Sequence, residues 1–239
     1  MATSDSLPAV ALVGVVSSPD GVARFAASER AARVVDLLEV RVDLFDLAGA
    51  PSVDPWADPC ARVEASGTPV LVTIRLAAQG GRWSRPDGER LPLYRAAAAF
   101  ASWLDVEAES PIAREVVSLA HAARRRVILS HHDFARTPPL PDLERVMSDA
   151  LAAGADIAKL ATLVATDDDR AALFTILARH AGRACVIGMG ARSSELRIDL
   201  PARGSRLAYG YVDTPTAPGQ LSADEMADRL TVAGLPMTR

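Results

Sequence analysis

The sequence is nearly devoid of lysine. Its Lys and Arg residues total 26, and Lys159 is the only lysine among them. Arginine keeps its proton at any useful pH, whereas a buried lysine can become a neutral amine. Because all the remaining positively charged residues of the chain are arginines, one lysine is not needed for charge alone. Lys159 is therefore the first candidate for a chemical role.

Cysteine, long apolar runs and excess positive charge are also scarce. Two cysteines in 239 residues, Cys60 and Cys185, do not make a disulfide framework. The apolar runs fall well short of the roughly 18 residues of a membrane span, and residues 1–6 lack the basic start of a signal peptide. A formal charge of −4 argues against a nucleic-acid or membrane partner. We expect a soluble, cytoplasmic globular protein.

Strand-like and helix-like segments alternate along the whole chain. The strand-like runs are 9–16, 34–43, 69–75, 104–109, 126–132, 156–162, 184–189 and 207–212. The helical segments are 20–32, 54–66, 91–103, 112–124, 140–153, 167–181, a broken one near 193–204, and 222–233. Eight of each in a chain of this length predict one (β/α)8 barrel domain over residues 1–239. A doubly wound open sheet is the alternative, but residues 17–21 lack its glycine-rich first turn.

The segment around Lys159 has the pattern of a buried strand. It is short and largely apolar, and it follows Gly154. A lysine inside such a strand either pairs with a carboxylate, such as Asp156, or acts as an amine nucleophile. The strand alone leaves both interpretations open.

Charged residues cluster where the predicted strands end. In a barrel, catalytic groups lie at the C-terminal ends of the strands, on alternate, inward-facing positions. The candidates that satisfy this rule are Glu39, Arg41, Asp43, Thr73, Arg75, Asp105, Glu107, Lys159 and the run from Ser130 to Phe134. Such a density of charge costs too much for packing alone, although Glu39, Arg41 and Asp43 could form an ion network inside the barrel.

Two further expectations concern the histidines and metals. His131 and His132 are consecutive on a strand, so at most one of them faces the centre. The spacing of His, Cys and Asp does not supply three convergent ligands, so we expect no metal site.

The motifs together resemble the type I 3-dehydroquinate dehydratases, the Schiff-base-forming enzymes of the shikimate pathway. The resemblance follows the chain in order over roughly residues 9 to 235. The matching pieces are 39–43 (EVRVD), 73–75 (TIR) with Gly80-Gly81, 105–107 (DVE), 130–134 (SHHDF) with Thr137-Pro138, 154–161 (GADIAKLA), Met189-Gly190, Arg197 and 216–220 (TAPGQ). The resemblance implies a (β/α)8 barrel that catalyses the syn-dehydration of 3-dehydroquinate to 3-dehydroshikimate.

The resemblance also implies roles for individual residues. Lys159 would form an imine with the substrate ketone, and His132 would act as general base and then as general acid. Glu39, Arg41 and Arg75 would bind the substrate hydroxyls and order the site. The remaining implied residues are Arg197 for the carboxylate, Thr216 and Gln220 for closure of the last loop, and Gln79, Asp105 and Met189 in support. The partner would be a small cyclic carboxylate, and the enzyme could be a homodimer.

The sequence departs from the family pattern at three places. Gln79 stands where the family usually has Glu, and Thr216 stands where it usually has Ser. The segment 191–197 lacks the usual Gly and the Ser just before Arg197. On these grounds Gln79→Glu should raise turnover. Two other interpretations stay open at this stage: a non-catalytic homologue that binds a cyclic hydroxyketo acid, and another Schiff-base enzyme such as a class I aldolase.

Overall fold

The computed structural model describes residues 7–45, 52–217 and 219–235. Residues 1–6 and Pro218, which entered the sequence argument, lie outside this range. Among the described residues, no helix is long and apolar enough to cross a membrane. The two cysteines are buried free thiols.

Eight parallel strands form one sheet, which confirms the predicted (β/α)8 barrel. The strands are β1 (Ala11–Val16), β2 (Leu37–Arg41), β3 (Val70–Thr73), β4 (Trp103–Glu107), β5 (Arg126–Asp133), β6 (Ile157–Leu163), β7 (Ala184–Met189) and β8 (Leu207–Tyr211). Their order in the sheet is β7-β6-β5-β4-β3-β2-β1-β8. Consecutive strands are therefore neighbours, and β1 closes against β8.

Individual hydrogen bonds, and not a continuous strand ladder, connect the segments of β7 and β8 where the barrel meets itself. The backbone N–H of Arg206 donates to the carbonyl of Ala184 at 2.9 Å. The hydroxyl of Ser205 accepts from the N–H of Val186 at 2.9 Å and donates to its carbonyl at 3.2 Å. Ser205 thus takes the place of a backbone partner, and the barrel is nearly closed.

Helices cover the outside of the barrel. They are α1 (Pro19–Ala26), α2 (Glu29–Val34), α3 (Asp54–Ala65), α4 (Arg90–Ala97), α5 (Ala113–Ala122), α6 (Leu140–Ala152), α7 (Asp167–Arg179), α8 (Leu196–Ala202) and α9 (Ala223–Val232). A capping box starts α9, since the side chain of Ser222 accepts from the N–H of Glu225 and Glu225 bonds back. A second capping box starts α7 at Thr166 and Asp169.

Two predicted helices have different bounds from those expected. The segment 20–32 is two helices, because Ser28 caps a new helix by accepting from the N–H of Ala31. The helix expected over 91–103 ends at Ala97, and β4 begins at Trp103. The side chain of Glu64 accepts from the backbone N–H and the hydroxyl of Ser102, which holds the chain in place just before β4.

The inner face of the barrel changes character along the strands. Its lower layer is apolar and contains Ala11, Val13, Leu37, Leu71, Trp103, Ile128, Ile157, Cys185 and Leu207. Because side chains on one face recur every second residue, Asp105 follows Trp103 and Lys159 follows Ile157 on that face. The apolar layer seals the bottom of the barrel, and the charged groups gather above it at the C-terminal ends of the strands.

Candidate active site

A cavity of about 320 Å³ opens at the C-terminal ends of the strands. The residues to which the family resemblance assigns a role line this cavity, with the exception of Asp105, which is buried against Lys159. The predicted lining residues are Glu39, Arg41, Arg75, Gln79, His132, Lys159, Met189, Arg197, Thr216 and Gln220. Residues from strands and loops that are distant in the chain therefore meet at one cavity.

Lys159 lies on β6 and is 5% exposed, at the floor of the cavity. Its ammonium nitrogen Nζ is 3.0 Å from Oδ2 of Asp105 and 3.9 Å from Oε1 of Glu39. The nitrogen also lies 4.4 Å from the centroid of the Tyr209 ring. Asp156, proposed above as the alternative partner, was the wrong acid, because it contacts His121 and Arg126 instead. The lysine is thus held by carboxylates and still reaches the cavity.

A buried network of alternating charge supports Lys159 from below. Arg75 donates to Asp105 at 2.7 Å and to Glu107 at 3.1 Å, and the same guanidinium donates to Ser130 at 2.6 Å. Ser130 in turn donates to Asp105 at 2.6 Å. Burial alone would raise the pKa of Asp105, but Arg75 and Lys159 outweigh it and hold that pKa well below its usual value. Asp105 is therefore a carboxylate that fixes the amine in one position.

The network extends to a residue that the sequence did not reveal. Arg90, at the start of α4, is fully buried and donates to Glu107 and to the carbonyl of Ile74, each at 2.6 Å. Glu107 therefore lies between the guanidinium groups of Arg90 and Arg75. A buried carboxylate between two cations satisfies the requirement that buried charges be paired, and it anchors Arg75.

His132 lies at the end of β5 and is partly open to the cavity. Its backbone N–H donates to Oε1 of Gln79 at 2.9 Å, and its ring nitrogen Nδ1 lies 3.3 Å from the same oxygen. Burial lowers the pKa of His132 well below its ordinary value, the cations Arg75 and Lys159 add to that effect, and Asp105 opposes it. The imidazole is therefore a free base at neutral pH.

The neighbouring histidine faces away from the cavity. Nδ1 of His131 contacts Oε1 of Glu109, and the histidine lines a separate cleft beside α6. The hydrogen bond to Glu109 raises the pKa of His131. This arrangement confirms the prediction that consecutive strand positions point to opposite sides.

The acidic and basic residues of β2 are divided between two tasks. Glu39 is buried and accepts from the hydroxyl of Thr73 at 2.8 Å. Arg41 donates to both oxygens of Asp43, at 2.9 and 2.8 Å, and Asp43 also accepts from the N–H of Arg82. Of the three residues considered above as an ion network, Arg41 and Asp43 thus pair directly with each other. Glu39 and Arg41 nevertheless line the cavity, so both can contact a bound molecule.

The rim of the cavity comes from β7, α8 and the last loop. Met189 ends β7, and Arg197 projects from the first turn of α8. Burial lowers the pKa of Arg197. In the last loop, Oε1 of Gln220 accepts from the N–H and the hydroxyl of Thr216 at 2.8 and 3.0 Å. The hydroxyl of Thr216, which stands where the family usually has serine, therefore makes a contact within the loop.

The Gly80-Gly81 pair packs tightly against the site. A Cβ atom at position 81 would lie 2.1 Å from the carbonyl oxygen of Arg75. Gly80 has φ of +79°, and a Cβ there would meet the ring of Phe134 at 2.2 Å. The pair lets the loop that carries Gln79 approach Arg75 and His132 closely.

One aromatic residue at the site, Tyr209, was missed from the sequence, and another, Phe134, was named only as the end of a candidate run. Tyr209 faces the cavity from β8, and its buried hydroxyl has no hydrogen-bond partner within the described part of the chain. Tyr209 could have been predicted, because it lies two residues after the inward-facing Leu207 on β8. Phe134 stacks on His132, with ring centroids 6.5 Å apart and planes inclined by 13°. Phe134 follows the strand, so strand alternation could not place its ring.

The fold and the cavity define a class of protein. A parallel barrel that brings a buried amine, a free-base imidazole and guanidinium groups into one cavity is suited to an enzyme that acts on a small anionic carbonyl compound. Within the described residues, no group of three or more His, Cys, Asp or Glu side chains could hold a metal ion.

Comparisons with known proteins give the family. Residues 15–235 match the sequence model of the type I 3-dehydroquinase family. The 3-dehydroquinate dehydratase of Methanosarcina barkeri is 35% identical over 211 residues, which cover 83% of this chain and 86% of that protein. The enzyme of the same name from Methanothrix thermoacetophila is 33% identical and covers 92% of each chain. This chain therefore belongs to the type I 3-dehydroquinate dehydratase family, whose members are hydro-lyases.

Solved structures agree on the fold. The 3-dehydroquinate dehydratase of Geobacillus kaustophilus superposes with a TM-score of 0.81 at 23% identity, covering 94% of this chain and 91% of that one. The type I enzyme of Clostridium difficile, solved with covalently modified comenic acid, superposes with a TM-score of 0.80 at 21% identity and covers 93% and 91%. At this identity the likeness shows the barrel alone.

Proposed function

We propose that this chain converts 3-dehydroquinate to 3-dehydroshikimate by syn-dehydration through an imine on Lys159, with His132 as general base and general acid. The observation that carries the proposal is the position of Lys159. The only lysine of the chain lies on the cavity floor, fixed by Asp105, in the same cavity as His132 and Arg197.

The chemistry of the amine follows from this position. Attack of Nζ on the substrate ketone, followed by loss of water, gives an iminium that draws electrons from the adjacent carbon–hydrogen bond. An arginine could hold the same charge but could not form this bond.

His132 completes the reaction. As a free base it takes the proton from the carbon next to the iminium, and the resulting imidazolium then protonates the departing hydroxyl on the same side of the ring. Water leaves, the conjugated imine is hydrolysed, and Lys159 is released. The net change is loss of one water molecule from the substrate.

The substrate is anchored by charge and hydrogen bonds around the rim. Arg197 would bind the carboxylate, while Thr216 and Gln220 would close the last loop over it. Arg41, Arg75 and Glu39 would contact the hydroxyls, although Arg75 is largely engaged with Asp105 and Glu107.

The direct test is turnover. Purified protein incubated with 3-dehydroquinate should produce the ultraviolet absorbance of a conjugated enone without added cofactor or metal. Absence of turnover together with tight binding of the same compound would favour the non-catalytic homologue. Turnover of a phosphorylated ketone in preference to 3-dehydroquinate would favour an aldolase.

Arg197→Ala should weaken substrate binding without removing the imine chemistry. Loss of one charge-assisted hydrogen bond costs about 1.5–3 kcal/mol, which corresponds to a roughly 10- to 100-fold fall in kcat/KM. The measurements are steady-state kinetics on 3-dehydroquinate and borohydride trapping with a small uncharged ketone, which should persist. An unchanged KM would show that the carboxylate binds elsewhere, with Arg41 or Arg75 as the next candidate.

Several expectations from the sequence stay predictions. They are a cytoplasmic location, a homodimer, a single domain over residues 1–239, independence from metals and cofactors, and no nucleic-acid or membrane partner. Size-exclusion chromatography with light scattering is the measurement for the oligomeric state.

A further inference from the structure

A chain of hydrogen bonds leads from His132 out of the cavity to a second carboxylate. Gln79 lies in its middle: its oxygen Oε1 accepts from the backbone N–H of His132 at 2.9 Å, and its nitrogen Nε2 donates to Oε2 of Glu109 at 3.1 Å. The other oxygen of Glu109 contacts Nδ1 of His131. Glu109 follows β4 and is half-exposed, outside the cavity.

The orientation of the Gln79 amide is determined by its partners. A backbone N–H can only donate, and an ionised carboxylate can only accept. The amide therefore turns its oxygen to His132 and its nitrogen to Glu109, and the opposite orientation would place like groups together at both ends. The orientation follows from which atoms can donate, so it does not depend on telling oxygen from nitrogen by position.

The amide orientation in turn fixes the proton on the imidazole. Nδ1 of His132 lies 3.3 Å from the same Oε1, an acceptor, so Nδ1 carries the hydrogen and Nε2 keeps the lone pair. When His132 takes a second proton, the negative charge of Glu109 polarises the Gln79 amide, and the amide oxygen then stabilises the imidazolium more strongly, because hydrogen bonds in a chain polarise one another.

We propose that Glu109 is a positioning residue of the dehydration, which acts on His132 through Gln79; these three residues form a relay. Glu109 anchors the amide that sets the tautomer of His132, and it supplies the negative charge that an amide at position 79 lacks. The role of Glu109 rests on the proposed function of His132 as acid and base.

The surrounding charges explain why such a carboxylate matters. The cations that face His132 are Arg41, Arg75 and Lys159, and the facing acid is Asp105. Three cations against one acid disfavour the imidazolium on which protonation of the departing hydroxyl depends. Glu109 is the carboxylate that accepts from the Gln79 amide. The titratable group in contact with Glu109 is His131, which also faces Asp133.

The contact with Glu109 changes the expectation from the sequence that Gln79→Glu raises turnover. The gain is now expected only when position 109 no longer carries a carboxylate. A carboxylate at position 79 would meet the carboxylate of Glu109 at about the present 3.1 Å. Two acids at this distance share one proton, so the pair would carry the same net charge as now. In the Glu109→Gln background, the new carboxylate keeps its charge and has an amide donor beside it.

The test is a double-mutant cycle at positions 79 and 109, assayed with 3-dehydroquinate across the pH range. We expect Glu109→Gln to lower kcat about 3- to 10-fold with KM changed less than about twofold, since one charged partner is lost. Gln79→Glu alone should leave kcat no higher than the parent. Added to Glu109→Gln, the same change should raise kcat and move the basic limb of its pH profile upward.

Two further measurements separate the relay from a purely local role of Glu109 beside His131. If Glu109 merely held His131, His131→Gln would reproduce the loss caused by Glu109→Gln, whereas the relay predicts that it does not. Nitrogen-15 NMR of His132 in the resting protein should show the Nδ1–H tautomer in the parent and a mixture or a lowered pKa in Glu109→Gln.

The outcomes are distinguishable. Identical kcat, pH profile and NMR spectrum in Glu109→Gln, or an effect of Gln79→Glu that is the same in both backgrounds, would overturn the role of Glu109. Full turnover by His132→Ala would instead overturn the proposed function, and the NMR measurement would still report on the relay because it needs no turnover.

Discussion

Lys159→Ala should abolish dehydration, and Lys159→Arg should be equally inactive. Arginine keeps a positive charge beside Asp105 and Glu39, but its guanidinium cannot attack a ketone. The pair of variants therefore separates charge from nucleophilicity. The measurements are turnover of 3-dehydroquinate and the mass of the protein after borohydride is added with substrate.

The composition leaves few amines that could compete with Lys159 in the trapping experiment. Because Lys159 is the only lysine, the N-terminal amine is the one other aliphatic amine that could be trapped. The parent should gain one ligand mass on the peptide containing Lys159, and both variants should gain none there. Turnover by either variant within about tenfold of the parent would end the imine hypothesis. Thermal unfolding of Lys159→Arg serves as the control for folding, since Asp105 retains Arg75 and Ser130 in any case.

The strand residues of the site could be predicted from the sequence because two simple rules act together. Inward positions recur every second residue, and parallel strands bring their C-terminal ends to one edge. These rules place Glu39, Arg75 and Lys159 around one cavity without any knowledge of contacts, and they admit only one of His131 and His132. The choice of His132 came from the family resemblance. The family resemblance added Arg197 and the last loop, which no strand periodicity could supply.

The partners of those residues could not be predicted in the same way. Arg90 follows a turn and opens a helix, where arginine is normally solvated, and its buried contacts to Glu107 depend on tertiary packing. Gln79 and Glu109 lie in different loops, 30 positions apart in the sequence. Asp156 was a plausible partner for Lys159 by proximity in sequence, but it lies just before β6, where its carboxylate accepts from the N–H of Val127 and pairs with Arg126.

His132→Ala should separate imine formation from proton transfer. Loss of a general acid and base lowers kcat by roughly 10²- to 10⁴-fold, while Lys159 can still trap substrate under borohydride. Accumulation of trapped adduct in a nearly inactive variant is the expected result. His121→Ala is the matched control, because His121 lies on α5, is not among the residues that line the cavity, and contacts Asp156. Loss of trapping in His132→Ala, with the fold intact, would assign His132 to imine formation as well.

The pH dependence of the parent enzyme gives an independent measure of the same residue. A base must be unprotonated to act, and burial with Arg75 and Lys159 holds the pKa of His132 well below its ordinary value. Activity should therefore persist as the pH falls through about 6.5, the ordinary histidine value, and should be lost only at the lower pKa of His132. The measurement is kcat/KM for 3-dehydroquinate between acid and neutral pH. An acidic limb centred at or above the ordinary value would show that a group other than His132 removes the proton, because burial and the surrounding cations together move the limb of this imidazole downward.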